Sequence, residues 1–177
     1  PLDLEKVAET LKLAEDGEMV RGEWVEDKNA ILLQFGNLKK RIGALAKDSI
    51  GPVKLPKLTW GGEITIKTAD LLKVVKAVES FSDHLKIKLS KEGLAVESEG
   101  DSDRVDAEIP TVGDDGLKCD APVKSIFPLD FLKGLVAKIP SETVLLEVGD
   151  DYPLRMSFEL LEGVEAAFIL APRIEEG

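Results

Sequence analysis

Residues 128–171, PLDFLKGLVAKIPSETVLLEVGDDYPLRMSFELLEGVEAAFILA, decide the fold, because they restate the plan of residues 1–46, PLDLEKVAETLKLAEDGEMVRGEWVEDKNAILLQFGNLKKRIGALA. Both begin with Pro-Leu-Asp, at Pro1-Leu2-Asp3 and at Pro128-Leu129-Asp130. The first copy continues as a helical stretch (LEKVAETLKLAED) and three strand-like runs (EMVRGEWV, AILLQFG and KKRIGALA). The second continues as FLKGLVAKIPS, then ETVLLEVG, PLRMSFELL and EAAFILA. A helix followed by three strands, recurring at long spacing, is the mark of duplicated architecture. A further βαβββ-like stretch precedes the second copy and nothing precedes the first, so the chain reads as starting inside a repeated domain.

Working outward, residues 2–15 form an amphipathic helix with Leu4, Val7, Ala8, Leu11 and Ala14 on one face, Asp3 as N-cap and Gly17 as stop. Residues 18–26 and 30–36 make a hairpin about Glu26-Asp27-Lys28-Asn29, and Lys39–Ala46 is a further strand. Residues 47–62, KDSIGPVKLPKLTWGG, hold two prolines, three glycines and no clear period. They are a connector, and one of that length inside a compact protein is usually functional. Glu63–Lys67 is a strand, and Thr68 caps a helix over Ala69–Ser82 with Leu72, Val75, Val78 and Phe81 inward. His84–Leu89 and Leu94–Glu99 pair about Ser90-Lys91-Glu92-Gly93, and Val105–Ile109 follows the acidic turn GDSD. Residues 118–127 are read as one strand that Pro122 interrupts or places at an edge. Leu129–Ile139 is the second-copy helix, followed by three strands ending at Leu170 and an extended tail. Antiparallel sheets covered on one side by helices give an α+β class.

The chain has 177 residues, 44% of them hydrophobic, and its apolar runs (AILL, AAFILA) are too short to span a membrane. The acidic, amphipathic N-terminus does not read as a signal peptide. The single cysteine, Cys119, lacks an internal disulfide partner, and a reducing, intracellular compartment is expected. The formal net charge of −11 argues, as a sum, against coating the surface with nucleic-acid phosphate. Where the 23 Lys and Arg lie is the more useful question.

The composition offers little for catalysis: one His and one Cys cannot build a Ser-His-Asp or Cys-His constellation, and no glycine-rich phosphate loop is present. His84 reads as structural and Cys119 as a small apolar filler. Asp101-Ser102-Asp103 and Asp114-Asp115 read as solvated loops before metal ligands. Lysines recur on all three helices: Lys6 and Lys12, Lys73 and Lys76, Lys133 and Lys138. Taken alone, they favour solvated helix-forming residues over nucleic-acid contact. Lys39-Lys40-Arg41 opens a strand that is last in its unit, where base discourages edge pairing or invites an acidic edge on another subunit. Asp103, Asp106 and Glu108 around Arg104–Ile109 form such an edge, to which the preceding helix adds Glu79 and Asp83.

The segments SDH (82–84), EGDSD (99–103), SIFPLDFLKGLVAKIP (125–140), DYPLRMSFEL (151–160) and LAPRIEE (170–176), in this order along the chain, resemble the archaeal–eukaryotic sliding clamp, the proliferating cell nuclear antigen (PCNA) family, and the archaeal members most of all. The resemblance covers essentially the whole chain. It implies the DNA clamp fold, with two similar domains per subunit, each a pair of βαβββ units, and three subunits closing head to tail around duplex DNA. Helices line the hole and sheets form the outside. Residues 1–47 would be the second half of the N-terminal domain, 48–62 the interdomain connecting loop and 63–177 the C-terminal domain. The resemblance further implies that Lys6, Lys12, Lys73, Lys76, Lys133 and Lys138 face the DNA backbone, reversing the reading from composition. Their contacts would be loose and non-sequence-specific, as sliding requires.

By position in the family pattern, Leu55, Pro56 and Leu58 of the connector, Pro153, and Ile169, Leu170, Ala171, Pro172 and Ile174 of the tail would form the pocket for partner peptides. An apolar patch with a free extended tail can take a hydrophobic plug and pair main chain to main chain. The subunit joint would pair Lys39, Lys40 and Arg41 with the edge carrying Arg104, Asp106 and Glu108, flanked by Glu79 and Asp83, as a heterologous contact. Implied partners are DNA polymerase, clamp loader, flap endonuclease and ligase through PCNA-interacting peptides, and a second and third copy of the chain. No catalysis, cofactor, metal or membrane is implied, and the place of work is the archaeal cytoplasm at the nucleoid, or the nucleus in a eukaryote. The family's first βαβββ unit would precede Pro1, and a longer parent protein is therefore expected. The other readings are a clamp-fold scaffold that closes no ring and, disfavoured by composition, an enzyme.

Overall fold

The computed structural model describes residues 2–46 and 57–173. The chain divides into two compact units, 1–56 and 57–177. In the first, helix α1 (Leu4–Leu11) precedes β1 (Arg21–Val25), β2 (Ala30–Phe35) and β3 (Leu38–Gly43), an antiparallel sheet in the order β1-β2-β3. A short 3₁₀ turn ending at Asn29, whose φ is +44°, joins β1 to β2, and the two-residue turn Gly36-Asn37, with Gly36 at φ +50°, joins β2 to β3. Small polar and glycine residues tolerate these left-handed conformations. Asp3 caps α1 as expected, its carboxylate accepting from Lys6 N at 3.2 Å.

The helix is shorter than its periodicity predicts. Leu13 N and Ala14 N bond back to Thr10 O and Leu11 O, three residues away, so the chain tightens and leaves the helix well before Gly17. The expected inward face is also not covered: Leu4 is 74% exposed and Leu11 41%, and the buried helix residue is Thr10, whose hydroxyl donates to Lys6 O. Periodicity shows that a helix has two faces; what covers the apolar one is decided elsewhere.

The second unit runs β4 (Gly62–Lys67), α2 (Thr68–Val78), β5 (His84–Ser90), β6 (Gly93–Glu99), β7 (Arg104–Ile109), β8 (Leu117–Cys119), β9 (Val123–Pro128), α3 (Leu129–Val136), β10 (Thr143–Val148), β11 (Leu154–Leu161) and β12 (Val164–Leu170). One sheet has the order β12-β11-β10-β4-β8 and the other β7-β6-β5-β9. The two βαβββ repeats interlock. The opening strand of the first repeat, β4, pairs with β10 of the second, and β9, which opens the second, pairs with β5 of the first. The predicted single strand 118–127 is thus two strands, β8 beside β4 and β9 beside β5, with Asp120–Pro122 crossing between the sheets. Proline cannot donate to a ladder, so it belongs at this crossing.

Both helices and the inner faces of both sheets share one core, including Ile64, Leu71, Val75, Leu85, Leu132, Leu146 and Met156, all 0% exposed. On α2 the buried set is Leu71, Val74, Val75 and Val78, while the predicted Leu72 and Phe81 are only partly buried. Thr68 does not cap α2. It is the first helical residue, its amide donates to Glu142 O and its hydroxyl to Ser141 O, each at 2.9 Å. The start of α3 is held in the same way by Leu129 N donating to Asp83 O at 2.8 Å. These helix ends are satisfied by distant backbone, so no side-chain cap needs to be encoded locally.

Candidate nucleic-acid and partner interface

The burial of Leu71, Val74, Val75 and Val78 turns Lys73 and Lys76 outward on α2, and the burial of Leu129, Leu132 and Val136 leaves Phe131, Gly134 and Lys138 open on and just after α3. The helices pack against one another on one core, so their open faces adjoin. Lys73, Lys76 and Lys138 have no ion-pair partner among the described residues, whereas Lys133 pairs with Glu79 across the two helices. On α1, Lys6 lies 3.4 Å from Asp3, and Lys12 is exposed at the helix end. Three of the six lysines predicted to face a polyanion thus come together on the open side of the second unit, and a fourth is partly neutralised beside them. The first unit presents the remaining two on its own helix.

The two predicted subunit edges are both at sheet borders. β3 has β2 as its neighbour and exposes Lys39, Lys40 and Arg41. β7 is the border of the four-stranded sheet and exposes Arg104, Asp106 and Glu108. Arg104 grips Asp106 bidentately, at 2.7 and 2.9 Å, which holds the Asp106 carboxyl below its usual range and raises the guanidinium's. Glu79 and Asp83 are engaged within the chain, Glu79 with Lys133 and Asp83 with two groups: His84 Nδ1 lies 2.8 Å from one of its oxygens and Arg173 Nη1 2.8 Å from the other. His84 first, then Arg173, lowers the Asp83 carboxyl.

That last contact explains how the chain leaves the fold. After β12, Arg173 N donates to Ile126 O of β9 at 2.7 Å while its guanidinium holds Asp83. The segment therefore straps from the border strand of one sheet to the border strand of the other. Leu170 is buried, Ile169 is 36% exposed, Ala171 is open and Pro172 half-buried. The strand register sets Arg155 opposite Ile169 and Leu154 opposite Leu170, so Pro153 adjoins Ala171 at the same end of the β11–β12 pair. The described end of the connector reaches this same place. The Trp60 indole donates to Pro153 O at 2.8 Å, Gly61 N to Val148 O at 3.0 Å, and Leu58 is half-buried. Pro153, Leu58, Ile169, Leu170, Ala171 and Pro172 thus gather at one end of one sheet, while Leu55, Pro56 and Ile174 lie outside the described residues.

Sequence reasoning missed Trp60 and Arg155 as part of this constellation. The Arg155 guanidinium sits 5.6 Å from the Trp60 ring centroid and 3.3 Å from Glu147. Trp60 stands out in the sequence as a large aromatic beside Gly61-Gly62, but its partner is nearly a hundred positions away. Cys119 packs with its thiol 3.0 Å from Ala121 O, and burial pushes that thiol up, away from the thiolate a nucleophile requires.

The comparisons with known proteins meet this geometry. The family description "Proliferating cell nuclear antigen, C-terminal domain" matches residues 54–173. The DNA polymerase sliding clamp of Methanothrix thermoacetophila is 32% identical over 99% of this chain and 72% of that protein. Among solved structures, A. fulgidus PCNA bound to the C-terminal region of FEN-1 superposes with a TM-score of 0.80 at 25% identity, covering 99% of this chain and 72% of that one. PCNA from Thermococcus kodakaraensis gives a TM-score of 0.79 over 97% of this chain and 72% of its own, a likeness of fold at 22% identity. Sequence, family pattern and topology agree: the chain belongs to the proliferating cell nuclear antigen family of DNA polymerase sliding clamps.

Proposed function

We propose that the chain acts as a non-enzymatic processivity factor, part of a trimeric ring that encircles duplex DNA and tethers replication and repair enzymes. In this reading residues 1–47 are the second half of one clamp domain, 48–62 the connecting loop and 63–177 the second domain. The observation that carries the DNA contact is the open lysine face of α2 and α3 in a protein of net charge −11. Basic helices inside an acidic shell allow phosphate contact without sequence readout. Lys6 and Lys12 would extend that lining. Lys39, Lys40 and Arg41 would meet the Arg104–Asp106–Glu108 edge of the next subunit, with Glu79 and Asp83 behind it.

Partner enzymes would dock an extended peptide on Leu55, Pro56, Leu58, Pro153, Ile169, Leu170, Ala171, Pro172 and Ile174. The A. fulgidus relative seen with the C-terminal region of FEN-1 supports a flap endonuclease as one such partner. Polymerase, clamp loader and ligase would use the same mode. The protein would work at the nucleoid of an archaeal cell.

The test is a salt titration of binding to circular duplex DNA, with sedimentation of the protein alone. Replacing Lys73, Lys76 and Lys138 by Ala is expected to weaken binding and to lower the slope of log K against log salt by about one for each lysine that meets a phosphate. An unchanged slope rules out the helix lining. A monomer that still binds peptide replaces the ring by a clamp-fold scaffold.

A further inference from the structure

We propose that Trp60, clamped by Arg155, is the positioning residue that fixes residues 58–61, the described end of the connector, beside the partner-peptide site before a peptide arrives. This rests on the docking reading above and adds the device that prepares the site. The connector enters the second unit through a narrow path. A Cβ at Gly61 would fall 2.6 Å from Val123 Cγ1, and one at Gly62 would fall 2.8 Å from Leu89 Cδ2. Two glycines therefore let the main chain lie close, and Gly61 N donates to Val148 O at 3.0 Å. Immediately before them the side chain of Trp60 closes over the outer face of β11. Its Nε1 donates to Pro153 O at 2.8 Å and its ring meets the Arg155 guanidinium at 5.6 Å. Glu147, whose side chain is only 16% exposed, holds Arg155 at 3.3 Å. Thr59 N reaches the Tyr152 hydroxyl at 3.4 Å, a weaker contact.

The hydrogen bond and the stack meet at Trp60, and the ion pair to Glu147 backs the stack through Arg155. Arg155 itself lies two residues from Pro153 and directly across from Ile169, on the same sheet face. The latch is thus built from the strand ends that carry the docking residues, and it holds Leu58 and Thr59 in place. A docking surface whose edge at Leu58 and Thr59 is already held spares the incoming peptide part of the ordering cost of binding. A cation over an indole, partly desolvated and backed by a carboxylate, is suited to that task.

The test uses the full chain and a synthetic peptide of the C-terminal region of an archaeal FEN-1, titrated calorimetrically. Trp60→Ala is expected to weaken binding about tenfold. Trp60→Phe, which keeps a ring and loses the donor, should fall between it and the parent protein. Arg155→Lys should bind more tightly than Arg155→Met, which keeps bulk without charge. Hydrogen exchange supplies a second readout that needs no peptide: in Trp60→Ala the amide of Gly61 should lose protection while those of β10 keep theirs. Parent-like affinity and parent-like Gly61 protection in Trp60→Ala would overturn the latch. If the parent chain itself binds no peptide, the docking reading fails, and Gly61 protection still decides whether Trp60 is the anchor.

Discussion

The two units share one plan and differ in how completely it is closed. In the second, β10 lies between β11 and β4, so the strand next to the repeat's helix is paired on both sides. In the first, β1 has only β2 as a neighbour among the described residues, and most of its side chains are exposed. On α3, Leu129, Leu132 and Val136 are at most 2% exposed; on α1, Leu4 and Leu11 stand open and Thr10 is the residue inside. In the second unit each repeat lends its opening strand to the other's sheet, β4 beside β10 and β9 beside β5, and the helices of both repeats share the core between them.

The largest effect that would sharpen this contrast is in the core. Leu132→Ala should destabilise the second unit by about 2–5 kcal/mol, because removing a fully enclosed side chain leaves a cavity. Leu11→Ala, at an open position, should change stability by roughly 0.5 kcal/mol or less. Urea unfolding followed separately for each unit measures both, and equal costs would break the comparison.

Next comes the strap. The second unit fastens its two sheets through Arg173, Asp83 and Ile126, and the described part of the first unit contains no such crossing. The Asp83 carboxyl is held below its ordinary value of 3.8, so its contribution is present above that pH and is lost as pH falls through the lowered folded value. As pH falls below 3.8 and through that lowered value, the Arg173 amide should lose protection while the α2 amides keep theirs. Asp83→Asn should show fast exchange at neutral pH with no further acid step. A pH-independent Arg173 amide in the parent protein would separate the strap from Asp83.

The smallest difference concerns helix starts. Asp3→Ala should cost α1 about 1 kcal/mol, read as lost helicity by circular dichroism, because that helix depends on its local cap. The starts of α2 and α3 instead rest on Glu142 O, Ser141 O and Asp83 O from other elements. Thr68→Val should therefore disturb the seam between α2 and the β10 entry more than the helicity of α2 itself. A larger helicity loss for Thr68→Val than for Asp3→Ala would invert the comparison.

Much of this was legible in the chain. Alternation along His84–Ser90 and Gly93–Glu99, and the repeated helix-plus-three-strands plan, are period-two and period-3.6 signals written in neighbouring residues. So are the Asp3 cap and the outward lysines of α2. What could not be read locally depended on residues far apart. The run 118–127 belongs to two sheets because β4 and β5 claim different halves of it. The uncovered face of α1, the transfer of Thr68 from cap to seam, and the meetings of Trp60 with Arg155 and of Asp83 with Arg173 follow only from tertiary packing. Sequence by itself determined most of the elements, their order and the family, since each rests on short-range stereochemistry or a linear pattern. Tertiary structure alone decided which apolar faces are filled and which side chains meet, because a side chain's partner is set by the strands and helices that converge on it, and those come from the other repeat.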